Sequence, residues 1–316
     1  MLIYYTDHFV LPLPPGHRFP MRKYAALRER VAAAAGDLLR VPPAATDTEL
    51  ARAHDPAYVA AVCNGTLDAR EQKRIGFPWS PAMIERSRRS AGATLAACRS
   101  ALASGCGVNL AGGTHHAHRA HGEGFCVFND AAVAARAMQA EALAARVLIV
   151  DLDVHQGDGT ASIFAGDASV FTFSMHGRNN FPFRKHGSDL DVELDDGTGD
   201  ASYLAALDVA LPCVLAGARP DLVIYLAGAD PFCGDRLGKL ALSKAGLAAR
   251  DRKVLGMLRE ACLPVAIAMA GGYAESVDDI VDIHFATVSL ALELWGDVAA
   301  DPAVCGKPRL RARISA

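Results

Sequence analysis

Three carboxylates and a histidine crowd into Asp151-Leu152-Asp153-Val154-His155-Gln156-Gly157-Asp158-Gly159. The run follows the apolar tetrad Val147-Leu148-Ile149-Val150, which reads as a fully buried strand, so the polar groups arrive at the C-terminal edge of a sheet. In open α/β sheets that edge is where ligand sites form. Side chains alternate along extended chain, which puts Asp151, Asp153 and His155 on one side, within about 13 Å of chain at roughly 3.3 Å per residue. Bare carboxylates this close repel one another unless they share a proton or a cation, so a metal site is the economical explanation. A solvated turn accounts for Gly157-Asp158-Gly159 alone, but not for polar groups aligned at the end of a buried strand.

Three further segments end in groups of the same kind. Val108–Leu110 reads as a strand and leads into Gly112-Gly113-Thr114-His115-His116-Ala117. Adjacent histidines point in different directions and do not easily chelate one metal, but on a curled loop they can flank one water. Leu226-Ala227-Gly228-Ala229-Asp230 ends another apolar strand on a carboxylate. Asp230 with Asp153 and His155 makes three protein ligands, the count that leaves a catalytic zinc one open position; iron(II) and cobalt suit the same set. Ala270-Gly271-Gly272-Tyr273 closes the strand Val265–Ala270, and its glycines would present the Tyr273 hydroxyl at a fixed point, as a donor to a developing oxyanion. His118 and His121 read as exposed rim residues, and Asp235 as a turn or cap residue.

The elements that must position these groups alternate along the whole chain. Candidate strands are 2–6, 108–110, 147–153, 170–174, 222–227 and 265–270. Ala-rich helical patterns lie near 22–35, 47–63, 83–103, 130–145, 201–216, 244–262 and 276–295. Thr46-Asp47-Thr48-Glu49 fits a capping box and Ser243 an N-cap. This alternation predicts a single α/β domain, a mainly parallel sheet with helices on both faces. The loops 12–20 and 75–81 carry Pro and Gly with little polarity and suit the rim of a site.

The chain has 316 residues, 51% of them hydrophobic and 21% charged, enough to build a substantial core. A net charge of −3 gives no electrostatic footprint for nucleic acid. No apolar stretch is expected to cross a bilayer, and Met1–Tyr5 lacks the pattern of a signal peptide. Eight cysteines without a C-x-x-C pair suggest buried thiols rather than disulfides, hence a cytoplasmic protein. The basic tail, Lys307 to Arg313, reads as a solvated end.

Five stretches, in order, carry a resemblance: GGTHHA (112–117), GEGFCVFND (122–130), DLDVHQGDG (151–159), AGAD (227–230) and AGGY (270–273). Together they resemble the zinc-dependent histone deacetylase family of the arginase–deacetylase superfamily. His155-Gln156, Met175-His176-Gly177-Arg178 and Gly16-His17-Arg18-Phe19-Pro20 most resemble the class IV deacetylases and their bacterial relatives. The resemblance implies one domain around an eight-stranded parallel sheet, with zinc on Asp153, His155 and Asp230. It makes His115 and His116 the pair beside the attacking water, backed by Asp151 and Asp158, and Tyr273 the transition-state tyrosine. It implies an acyl-lysine tunnel walled by Gly124, Phe125 and Phe181. It also implies a potassium site matching Asp151, Ser174 and Met175 with the carbonyls of Asp153 and His155. The implied substrate is an acylated lysine in a protein or peptide. Alternatives are a small acylamine such as an acetylpolyamine, or a non-catalytic acyl-lysine binder. A binuclear arginase-type site would need an aspartate where Phe232 stands. Two departures bear on substrate choice: Ala270 where the family often has glycine, and Pro231-Phe232 after Asp230, a bulky pair expected to reshape the mouth.

Overall fold

The computed structural model describes residues 1–296; the basic tail lies outside the described residues. Its strands are β1 (Leu2–Tyr4), β2 (Leu39–Arg40), β3 (Cys106–Asn109), β4 (Val147–Asp151), β5 (Val170–Gly177), β6 (Leu190–Leu194), β7 (Leu222–Leu226) and β8 (Val265–Ala268). They form one eight-stranded sheet in the order β2-β1-β3-β8-β7-β4-β5-β6, with every pair parallel. The helices are α1 (Arg22–Ala35), α2 (Asp47–Leu50), α3 (Pro56–Asn64), α4 (Ala69–Ile75), α5 (Pro81–Ser104), α6 (Asp130–Ala140), α7 (Asp158–Phe164), α8 (Asp200–Ala218), α9 (Lys244–Glu260) and α10 (Val277–Trp295).

Alternation along the buried strands divides the core into two layers. Val147 and Ile149 face the layer holding α5 and α6, while Leu148 and Val150 face the layer holding α8, α9 and α10. Strands buried on both faces explain why β4, β7 and β8 are continuous apolar runs.

Where the structure departs from the sequence expectation, local chemistry gives the reason. The pattern at 47–63 is two helices: Asp55 accepts from the Ala57 N–H as N-cap and Pro56 opens α3, so the chain leaves helical geometry before the proline. The capping box at Thr46 and Glu49 is present, and Ser243 caps α9. Strand β6 carries Asp191 and Glu193 on an edge, and β2 has two residues, so neither has an apolar run to announce it. Helix α8 is long and apolar enough to cross a bilayer by length and composition, contrary to expectation. Its stripe Tyr203, Leu207, Leu211 and Val214 packs into the core instead. Cys98, Cys106 and Cys126 are buried free thiols, but Cys213 and Cys233 are free and exposed, and Cys262 is disulfide-bonded against expectation.

The sheet order matters most for the site. Strands β3, β8, β7 and β4 are neighbours, and their register aligns Asn109 with Ala268, Ala268 with Leu226, and Leu226 with Asp151. Four loops rich in polar groups therefore leave one sheet edge at one level.

Candidate active site

Asp153, His155 and Asp230 each offer a ligand atom within 4.8 Å of the others, and all three are buried. Alternation persists past the end of β4: Leu152 and Val154 stay in the core while Asp151, Asp153 and His155 turn to the site. His155 Nδ1 lies 2.9 Å from Asp153 Oδ1 and 3.2 Å from Asp230 Oδ2. The second contact has poor hydrogen-bond geometry, and Asp230 Oδ2 accepts no hydrogen bond. The other carboxylate oxygens are pinned by backbone: Gly271 N–H donates to Asp153 Oδ2 (2.8 Å) and Val154 N–H to Asp230 Oδ1 (2.9 Å). A Cβ at Gly271 would collide with both carboxylates, so this glycine is required by close approach.

Electrostatics agree with a site built for added positive charge. Burial and neighbouring Asp153 push the Asp230 carboxyl up to about 7. Burial opposes charging of His155, yet its hydrogen bond to Asp153 and the adjacent Asp230 carboxylate raise it to about 10. Two buried carboxylates, one pushed towards its protonated form and left with an orphaned oxygen, fit a divalent cation.

The histidine pair sits beside this cluster, the two rings 4.2 Å apart. His115 Nδ1 meets Asp151 Oδ2 at 2.7 Å, and His116 Nδ1 meets Asp158 Oδ1 at 2.6 Å. The two histidines are pushed opposite ways. Burial opposes charge on His115, but Asp151 and Asp153 raise it to about 9; burial and neighbouring His115 lower His116 to about 4. The loop carrying them is held by Asp130, which accepts from the N–H groups of Gly113 and Thr114 and from the Thr94 and Thr114 hydroxyls. Asn129 donates to the carbonyls of His115 and Ala117. His118 is not an exposed rim residue. It is buried and contacts Asp158 Oδ2 at 3.2 Å, so Asp158 serves two histidines. His121 is half-buried and stacks on it at 4.4 Å.

A cavity of about 560 Å³ reaches from the surface to these groups. Phe181 packs edge-on to His116 at 4.9 Å, and Phe125 faces Phe77, Phe19 and Tyr273. Gly124 has φ +55°, and a Cβ there would come within 2.8 Å of the His116 ring. Loop residues Arg18, Phe19, Gly76 and Phe77 also line it, matching the rim expected at 12–20 and 75–81. Phe232 lies outside the cavity and packs against the core, so it does not reshape the mouth as expected. The Tyr273 backbone N–H donates to Asp235 Oδ2, which turns its own loop through Leu237 and Gly238. The Tyr273 ring faces the cavity, and burial followed by Asp153 and Asp230 holds its hydroxyl protonated, well above the usual range. Ala270 has φ +56°, a left-handed conformation that glycine adopts more easily.

Residues 17–288 match the model of the histone deacetylase domain. The chain belongs to the histone deacetylase family. This family member is 46% identical over 286 residues to an uncharacterized protein of Picosynechococcus sp., covering 90% of this chain and 95% of that protein. It is 34% identical over 208 residues to Histone deacetylase 2 of Arabidopsis thaliana, covering 65% of this chain and about half (52%) of that one. Its fold superposes on the crystal structure of the HDA15 HD domain with a TM-score of 0.76 at 25% identity, covering 94% and 92% of the two chains.

Several residues of this deacetylase-family site gave no sequence signal. Arg250, fully buried, donates to the carbonyls of Leu152 (3.2 Å) and Gly228 (2.7 Å), each just ahead of a metal-ligand candidate. Asp251 neutralises it and accepts from the Tyr225 and Thr287 hydroxyls. Lys23 and Arg86, both buried, line the cavity. An Arg or Lys in a helical pattern normally reads as solvated surface, which hid all three. Ser174 pairs with Asp151 in the β4–β5 register, with Met175 next to it, both buried.

Proposed function

We propose that this chain is a zinc-dependent amidohydrolase that removes acetyl or other acyl groups from the ε-amine of lysine in proteins or peptides. The observation that carries the reading is the convergence, at the foot of one aromatic-walled cavity, of the Asp153–His155–Asp230 cluster, two carboxylate-backed histidines and the Tyr273 ring. The chemistry that a cation on those three residues supplies when bound is polarisation of the amide carbonyl and a lowered pKa for the attacking water. Zinc suits one imidazole and two carboxylates, with iron(II) the alternative metal.

The protein groups divide the remaining work. His116, neutral near pH 7, takes the proton of the attacking water and passes it to the leaving amine. His115, kept cationic by Asp151, holds the water and balances the charge that develops. Asp151 and Asp158 each fix the orientation of one imidazole through Nδ1, and Asp158 also fixes the tautomer of neutral His116, leaving Nε2 for the reacting groups. Tyr273 donates to the oxyanion. Phe125, Phe181 and Gly124 pack along an aliphatic lysine stem. Potassium is proposed at Asp151, Ser174 and Met175 with the Asp153 and His155 carbonyls, and a cytoplasmic location for the protein.

The test is steady-state hydrolysis of acetyl-lysine peptides, long-acyl-lysine peptides and acetylpolyamines by the zinc-loaded protein, with Asp230→Ala alongside. Turnover of the lysine series, abolished in the variant, supports the reading. Preference for acetylpolyamines moves the substrate to small acylamines, and tight peptide binding with no turnover makes the chain a reader.

A further inference from the structure

The cavity is lined by two buried cations that pair with no carboxylate among the described residues. Lys23 and Arg86 come from different helices, α1 and α5, yet share the same two aromatic rings. The ammonium lies 5.8 Å from the centre of Phe19 and 5.3 Å from Tyr24, and the guanidinium 5.9 Å and 4.4 Å from the same rings. Lys23 Nζ donates to the carbonyls of Ala270 (3.4 Å) and Gly272 (3.2 Å) and lies 5.3 Å from the centre of the Tyr273 ring. Arg86, 8% exposed, makes no hydrogen bond or ion pair among the described residues, and it lines the cavity together with Ser90. An unpaired buried guanidinium beside a second cation is costly unless an anion joins them, and a guanidinium fork matches a carboxylate. The Lys23–Tyr273 contact and the two shared rings put this pair next to the group proposed to bind the amide oxygen, in the same cavity as Asp153 and His155.

We propose that Arg86 and Lys23 form a carboxylate subsite for the far end of the acyl group, so that the preferred substrates are lysines acylated by short dicarboxylic acids, such as succinyl- or glutaryl-lysine. The proposal rests on the amidohydrolase reading above. The reaction is the same hydrolysis: water oxygen bonds to the acyl carbon, the C–N bond breaks, and both water protons end on the amine. The products are a lysine ammonium and a free dicarboxylate. A released monocarboxylate offers the same chemistry to the two cations, so the test separates the two sources.

Values of kcat/KM are measured for succinyl-, glutaryl-, acetyl- and succinamoyl-lysine in one peptide, the last being the neutral amide of the first. Wild type is expected to favour succinyl or glutaryl over succinamoyl by ~10-fold or more, the scale of one charge-assisted hydrogen bond. Arg86→Met should bring that ratio close to one, and Arg86→Lys should keep part of it. The wild-type comparison stands alone should Arg86→Met fail to fold. Turnover of acetyl-lysine with no advantage for the charged acyl groups overturns the subsite and leaves the deacylase reading intact. Competitive inhibition by free acetate, again without that advantage, assigns the cations to the released product and also overturns it. No turnover of any substrate by metal-loaded protein overturns the deacylase reading and the subsite with it.

Discussion

At the scale of single residues, the site separates groups that hold charge from a group that donates to it. Tyr273 reaches the cavity from a loop fixed on both sides: its N–H is held by Asp235, and the carbonyls before it by Lys23. Since its backbone contacts do not involve the ring hydroxyl, Tyr273→Phe should fold and bind metal as wild type does while kcat falls by about 10²–10³, the usual loss for one oxyanion donor. Metal content by mass spectrometry and steady-state kinetics check this together. Near-normal kcat would remove the tyrosine from the mechanism. The residues proposed to touch the reacting groups carried a signal in the sequence because each lies in a short loop segment just past the end of an apolar strand. His118 was misread because its burial comes from Asp158, a partner 40 positions away that no local pattern reveals.

At the scale of elements, the precision of the site is set by buried contacts between helices and loops. Arg250 on α9 ties the chain ahead of Asp153 to the chain ahead of Asp230, and Asp251 neutralises it. Arg250→Met should cost about 3–5 kcal/mol in urea unfolding, because Asp251 is left as an uncompensated buried charge. Metal affinity should fall with it, and unchanged stability would show the pair to be dispensable. His54, in the break between α2 and α3, is a second such contact. Its Nδ1 meets the His118 carbonyl at 2.9 Å, and its Nε2 accepts from the Asn129 N–H at 2.9 Å, so the ring is held neutral. Burial lowers it to about 4. The unfolded chain binds this proton near pH 6.5, before the folded chain does. Stability is therefore fully present above pH 6.5 and lost as pH falls towards 4, by about 2 kcal/mol at pH 5 relative to pH 7. His54→Gln, which offers a donor and an acceptor without titrating, should flatten that part of the pH–stability curve measured by denaturant unfolding. An unchanged slope would move the acid sensitivity elsewhere. Neither residue was legible in the sequence, since a lone His and an Arg-Asp pair inside a helical pattern carry no period of their own.

At the scale of the whole molecule, the alternation of apolar runs and helical patterns was enough to predict one parallel sheet with helices on both faces. The order of the strands was not readable, because it is decided by which runs pair rather than by the runs themselves. That order is what makes the site: β3, β8, β7 and β4 are adjacent, so loops about 160 positions apart meet at one edge. A cation held there binds only the folded chain, and its affinity becomes folding stability. Zinc at about 100 times its Kd should add about 2.7 kcal/mol and raise Tm on the order of 5 °C over chelator-treated protein, whereas Asp230→Ala should not respond. With His155 raised to about 10 and Asp230 to about 7, zinc must also displace protons at pH 7. Calorimetric titrations in two buffers of different ionisation enthalpy should count at least one proton released per metal. A zinc-independent Tm, or binding without proton release, would place the cation somewhere other than this cluster.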